Sequence, residues 1–326
     1  MRIHIQNPPG EDLFAVTEQQ WHDAVVRAGP VGAGHRVTFG NDDAAFAMAM
    51  DEAEALVASP PSIAGRFPCH APSLSLIFCL AAGVEKLAPF DRLPEGVIVV
   101  NNRGVHGAKA GEFAAMALLM LNTHFSELVA AQREGVWRPI FAPTLRGKRV
   151  TVIGVGDLGG AAARQARHFG ARITGVRTRA VAHPDCDEMF SVAELDEVLP
   201  GSEFLVLACP LTPATRNLMN RRRLAMLPKG AGLVNIGRGA LWDQDALCDL
   251  LESGQVGGAV VDVFAPEPLP VGHRMWTTRN LMITPHISAD SPVTYNPDSL
   301  DIVFSNLEAW REGRTMPNQV DLARGY

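Results

Sequence analysis

Residues 150–159, VTVIGVGDLG, join an apolar, β-branched run to a GxGxxG pattern, and the glycines fall where a strand would turn into a helix. Each glycine then has its own task. Gly154 allows the tight turn, Gly156 lets backbone approach a pyrophosphate, and Gly159 lets the following helix pack on the sheet. The residues after Gly159 are small and helix-forming. The start of that helix, with Asp157 and Leu158, offers unpaired N–H groups and a positive dipole end to phosphates. The stretch predicts a dinucleotide-binding βαβ unit.

Working outward, short β-branched runs alternate with Ala- and Leu-rich helical stretches, the pattern of α/β architecture with parallel sheets. Strands are predicted at MRIHIQ, HRVTF, AEALVA, LSLIFCL and VIVVNN before the glycine motif, and at ARITGV, EFLVLAC, AGLVNI, GAVVDVF and LMITPH after it. A chain of 326 residues is too long for one small core and suggests two domains. The expected architecture is two doubly wound parallel-sheet domains. A Rossmann domain for NAD(P) is expected over residues 101–289, and a smaller, discontinuous, flavodoxin-like substrate domain over 1–100 and 290–326. The helical stretch DSLDIVFSNLEAWREG would return the chain to the smaller domain. From Gly107 to about Arg133 the spacing of Phe113, Ala117, Leu118 and Leu121 predicts one long helix, crossing between the domains. Ligands are expected in the cleft between the two.

A net charge of −6 leaves no basic face for nucleic acid. The apolar stretches AAMALLML and LSLIFCLAAGV fall short of the roughly 20 residues that span a bilayer, and MRIHIQNPPG lacks a signal pattern, so a cytoplasmic protein without membrane partners is expected. Five cysteines without a CxxC pair read as reduced packing residues. The cluster His183, Asp185, Cys186, Asp187 and Glu188 contains Pro184 and reads as a solvated loop, with no metal expected.

Three later segments each follow a predicted strand: CPLTPATRNLMNRRRLAMLPKGAGLVNIGRGALWD, GAVVDVFAPEPLP and ITPHISA. In an open parallel sheet ligands gather at the carboxyl ends of strands, which brings Arg238, Glu267 and His286 to one crevice. Cofactor preference is read from a separate position. NAD-specific sites carry an Asp or Glu about 20 residues past the motif, for the ribose 2′-hydroxyl. This chain has Arg177, Thr178 and Arg179 there, which suit a 2′-phosphate. NADP(H) is therefore expected to be preferred, with NAD(H) possible.

In their order, GVGDLG, the NxxRG of Asn235 to Gly239, the EP of Glu267 and Pro268, and the PH of Pro285 and His286 resemble the D-isomer-specific 2-hydroxyacid dehydrogenases. The similarity runs from about Leu74 to Tyr326 and is greatest to the glyoxylate and hydroxypyruvate reductases. The resemblance implies a catalytic trio of Arg238, Glu267 and His286 that reduces a small 2-keto acid to the D-2-hydroxy acid, hydride coming from nicotinamide C4. His286 would give the proton, Glu267 would hold the other ring nitrogen, and Arg238 would grip the keto and carboxylate oxygens. It also implies that backbone amides of Ala82, Gly83 and Val84 bind the substrate carboxylate. Cys209, Pro210, Thr215, Ile236, Arg238 and Asp262 would contact the cofactor, Asp262 at the carboxamide. A homodimer is implied, with Leu118 to Arg146 embracing the partner. For Trp137 either the partner's cleft or ordinary packing is open, and for Arg103 and His106 either the cleft or the surface. Glu267 argues against the formate dehydrogenases, which have Gln there, and the ending VDLARGY reads as the short reductase group. Phosphonate-oxidising relatives and dinucleotide-sensing corepressors remain as alternatives.

Overall fold

Twelve strands, parallel throughout, form one sheet of five and one of seven among the described residues of the computed structural model, 1–10 and 14–325. The sheets belong to two units, Met1–Val105 with Ser291–Tyr326, and His106–Asp290.

In the first unit β1 (Arg2–Gln6), β2 (Arg36–Gly40), β3 (Ala55–Ala58), β4 (Leu76–Cys79) and β5 (Ile98–Val100) lie in the order β2-β1-β3-β4-β5, the flavodoxin-type arrangement. The runs ALVA and LIFC in β3 and β4 are apolar at every position because both faces of a doubly wound sheet are covered. Helix Glu18–Ala28 starts on a capping box: the Gln20 amide donates to the Thr17 hydroxyl at 3.1 Å, and the Thr17 amide donates to the Gln20 side chain at 3.0 Å. Trp21 of this helix packs on Phe304 with ring centroids 5.0 Å apart. Phe304 belongs to helix Tyr295–Arg311, whose Leu300, Val303 and Leu307 share a core with Ile3, Ile5 and Val57. The chain beyond it adds to the sheet edge, the Val320 amide donating to the Val99 carbonyl at 2.8 Å.

The second unit holds β6 (Arg149–Ile153), β7 (Arg172–Arg177), β8 (Glu188–Ser191), β9 (Phe204–Leu207), β10 (Ala231–Asn235), β11 (Val256–Val261) and β12 (Leu281–Ile283), in the order β12-β11-β10-β9-β6-β7-β8. Strand order reverses between β6 and β9, the switch point beside which such sheets bind ligands. Helices Gly107–Asn122 and Asp157–His168 face each other through small residues. A methyl added at Gly111 would sit 3.4 Å from the Ala161 methyl, so the helices approach closely over the core of Val150, Val152, Val206 and Val234.

The helix predicted from Gly107 to Arg133 is instead two. It stops at Asn122, His124 takes a left-handed φ of 53°, and Phe125–Arg133 leaves at 65°. The Thr123 hydroxyl donates to the Leu119 carbonyl at 2.8 Å, and this local competition, in a run of poor helix formers, ends the first helix. Nor does that helix cross between domains: both pieces lie in the second unit. The presumed loop around Cys186 also differs, since Glu188 begins edge strand β8. No described group of His, Cys, Asp or Glu is arranged to hold a metal, the five cysteines are unpaired, and no single helix is long and apolar enough to cross a membrane.

A methyl at Gly159 would lie 2.0 Å from the Gly154 carbonyl oxygen. Gly159→Ala is therefore expected to destabilise the fold by about 1–3 kcal/mol, the usual range for overpacking, seen as a lowered melting temperature in a thermal denaturation scan.

Candidate active site

Asn235, Val261 and Ile283 are register partners on the adjacent strands β10, β11 and β12, so three segments leave the sheet at one level. Arg238 follows the first, Asp262 and Glu267 the second, and His286 the third. After β10 the Asn235 side chain ties the turn, donating to the Arg238 carbonyl at 3.0 Å and accepting the Gly237 amide at 3.0 Å. At Gly239 a methyl would meet Phe264 backbone at 2.0 Å, so only glycine lets the Arg238 turn press against the loop after β11.

That contact matters because the Phe264 amide donates to Glu267 Oε1 at 2.7 Å. The other carboxylate oxygen, Oε2, accepts from His286 Nδ1 at 2.9 Å. Gln244 steadies the same loop by accepting the Ala265 amide at 3.0 Å and donating to the Ala265 carbonyl at 2.9 Å. With Nδ1 committed to Glu267, His286 Nε2 is the nitrogen left for a substrate, and the side chain is 46% exposed.

The pair sets each other's protonation. The Glu267 hydrogen bond raises the His286 pKa above its ordinary 6.5, outweighing burial and the repulsion of Arg238. Burial alone would raise Glu267, but the bonds from His286 and Phe264 and the charges of His286 and Arg238 hold it below its ordinary 4.5. Arg238 thus acts on both groups, and the three form one electrostatic cluster. It is half-buried, with Nη1 donating to the Gly237 carbonyl at 2.8 Å.

His286 adopts a left-handed φ of 56°, a conformation that costs an ordinary residue about 1–3 kcal/mol. Asp262 holds it there. Its carboxylate is fully buried and accepts the Thr284 hydroxyl at 2.6 Å, the Ile287 amide at 2.9 Å and the Ser288 amide at 2.9 Å, while its carbonyl accepts the His286 amide at 2.9 Å. Asp262 thus ties the histidine loop.

The glycine turn fits a dinucleotide. Gly154 has φ 93° and lies where a methyl would be 2.5 Å from Cys209 backbone, whereas nothing lies within 4 Å of one at Gly156. Open backbone therefore stands at the start of helix Asp157–His168, whose first amides have no helical acceptor. Leu158 is half-buried, and Asp157 is the first helical residue. Arg177, Thr178 and Arg179 are exposed at the end of β7. Cys209 is buried against the turn, its thiol pushed up to about 12 by burial. Pro210 is exposed beside it, and Thr215 closes that loop by donating to the Pro210 carbonyl at 2.7 Å. The Ile236 side chain lies in the core and its amide donates to the Leu207 carbonyl at 3.0 Å, so any cofactor contact there falls to its carbonyl.

In the first unit Ala82, Gly83 and Val84 follow β4, and their amides donate to no group among the described residues. The Val84 side chain is buried, and Asn101 fixes the loop by donating to the Ala82 carbonyl at 3.1 Å. Arg103 is exposed and donates to the Pro317 carbonyl at 2.7 Å, while His106 is buried with Nδ1 3.2 Å from Asp290. Trp137 does not pack within this chain: it is 96% exposed, with Phe141 at 95%. The sequence reading missed Thr284, Ser288, Gln244 and the Phe264 amide, which act through the local course of loops and leave no spacing signal.

With this geometry in hand, likeness to known proteins is informative. The sequence profile of the D-isomer specific 2-hydroxyacid dehydrogenase, NAD binding domain, matches residues 115–288. A glyoxylate/hydroxypyruvate reductase A from Serratia proteamaculans is 32% identical over 257 residues, 77% of this chain and 81% of that protein. A D-isomer specific 2-hydroxyacid dehydrogenase from Xanthobacter autotrophicus Py2, solved with NADPH and MES, is 30% identical with a TM-score of 0.83 and coverage of 100% and 99%. An NADPH-dependent glyoxylate/hydroxypyruvate reductase from Sinorhizobium meliloti, solved with NADP and sulfate, is 25% identical with the same TM-score and coverage.

Replacing Glu267 by Gln removes the charge that favours imidazolium. The His286 pKa is expected to fall to its ordinary value or below in Glu267→Gln, as followed by NMR titration of the ring.

Proposed function

The chain belongs to the D-isomer specific 2-hydroxyacid dehydrogenase family, and on that premise we propose that it reduces a small 2-keto acid of the glyoxylate or hydroxypyruvate kind to its D-2-hydroxy acid, using NADPH in preference to NADH. The observation that carries the reading is the Glu267–His286 hydrogen bond of 2.9 Å, with Nε2 left over and Arg238 acting on both. When bound, the reduced nicotinamide supplies hydride to the keto carbon. Arg238 grips the keto oxygen and one carboxylate oxygen, its fixed charge favouring the negative charge that develops. His286 gives the Nε2 proton to that oxygen, and Glu267 stabilises the imidazolium before transfer. In the oxidative direction neutral His286 takes the proton back. The free amides of Ala82, Gly83 and Val84 are the proposed seat of the substrate carboxylate.

Preference for NADPH is supported by the absence of a carboxylate at the end of β7, where Arg177 and Arg179 stand exposed. Both solved relatives described above hold the phosphorylated cofactor. We assign a homodimer to the segment that carries the exposed side chains of Val136, Trp137 and Phe141, since exposed large apolar side chains mark interaction surfaces.

The reductive kcat/KM is expected to fall as pH rises through the raised His286 pKa, because the acid form is then lost. The ion pair's contribution to stability has a window bounded on both sides. For His286 it is present below 6.5 and lost as pH rises through the raised value; for Glu267 it is present above 4.5 and lost as pH falls through the lowered one. In steady-state assays with glyoxylate and hydroxypyruvate, His286→Asn should lower kcat by about 10²–10⁴-fold. Arg177→Asp should weaken use of NADPH more than NADH, and equal losses would remove the phosphate assignment. Trp137→Asp with Phe141→Asp should shift sedimentation from dimer to monomer.

A further inference from the structure

The loop that leaves β7 segregates its charges. Its acidic half is spent on helix Asp157–His168, Arg164 reaching Asp185 at 3.3 Å and Arg167 reaching Asp187 at 2.8 Å. Asp187 also accepts the Ile173 amide at 2.7 Å, which anchors that half to β7. The basic half is spent on nothing: neither guanidinium of Arg177 and Arg179 makes an ion pair or hydrogen bond among the described residues. The acids are neutralised within the unit, and two positive charges remain.

Between the halves stands His183. Its Nδ1 accepts the Asp185 amide at 3.2 Å, which commits the lone pair there and places the proton of the neutral ring on Nε2. The donor edge of the ring rests on the helix, because a methyl built at Gly160 would lie 3.4 Å from both Cε1 and Nε2. Gly160 ends the first helical turn, its amide donating at 2.8 Å to the carbonyl of Gly156, the open glycine of the phosphate turn. The Nε2–H donor thus lies against the first turn of the helix that follows the glycine turn, and Arg177 and Arg179 stand exposed at the carboxyl end of β7. In a doubly wound site the space between the glycine turn and that strand end takes the adenine-side ribose and whatever its 2′ position carries.

We propose that His183 is a specificity-determining residue for the cofactor: with Arg177 and Arg179 it forms a three-donor site for a phosphate monoester, the 2′-phosphate, and donates to it from Nε2. The proposal rests on the reading of the cofactor as NADPH. A hydrogen bond to a charged phosphate oxygen exceeds a neutral one, and losing it is expected to cost about tenfold in affinity.

The test reads binding rather than turnover: dissociation constants for NADPH and NADH by fluorescence, and for adenosine 2′,5′-bisphosphate and 5′-AMP by calorimetry. His183→Ala and His183→Phe should each weaken NADPH and the bisphosphate about tenfold while NADH and 5′-AMP stay within about twofold, and His183→Gln, which keeps an N–H donor, should recover part of the loss. Full NADPH affinity in His183→Phe would mean that the ring only packs on Gly160, and equal weakening of both cofactors in His183→Ala would mean that the loop only lost its seat; either overturns the proposal. Arg177→Ala separates the two layers. If it alone lowers NADPH affinity selectively, the phosphate pocket stands without His183. If neither residue changes the ratio of NADPH to NADH affinity, the cofactor reading falls together with the proposal.

Discussion

One hydrogen bond organises the chemistry of this chain: Glu267 Oε2 against His286 Nδ1 at 2.9 Å. It fixes the ring's orientation, leaves Nε2 free of that bond and biases the imidazole toward its cationic form. Neither partner would hold that geometry alone. The Phe264 amide grips the free oxygen of the glutamate, and the buried Asp262 carboxylate gathers three donors beneath the histidine loop. A left-handed backbone at His286 is tolerated because those bonds leave the loop no relaxed alternative.

The same site depends on backbones that approach closer than a side chain allows. Gly239 presses on Phe264, and Gly159 lies over the Gly154 carbonyl. These contacts tie loops from different strands directly to each other. Placement of the guanidinium, the acid and the phosphate turn then follows from the sheet itself rather than from adaptable side chains.

Much of this was legible before any coordinates. Alternation of apolar runs and helical stretches gave both sheets, and the glycine spacing gave the cofactor turn, because each signal is local in sequence. Arg238, Glu267 and His286 could be grouped because strand ends converge in a parallel sheet. What stayed hidden depends on tertiary detail. The break at His124 turns on one hydroxyl competing for a helical carbonyl, and β8 forms from an edge segment too polar to read as a strand. The bonds by which Asp262 ties the histidine loop were hidden because residue type shows an acceptor but not which neighbouring donors fold onto it. Ile236 and Val84 were named for positions whose backbone alone remains available, since their side chains complete the core.

The register of Asn235, Val261 and Ile283 has a consequence for how such a protein can diversify. Arg238, Glu267 and His286 hang from three neighbouring strands of a single unit, so their mutual spacing is set without reference to residues 1–105. Mutations accumulating there leave the histidine, the glutamate and the guanidinium at their original separations, so that half can vary without rebuilding the trio.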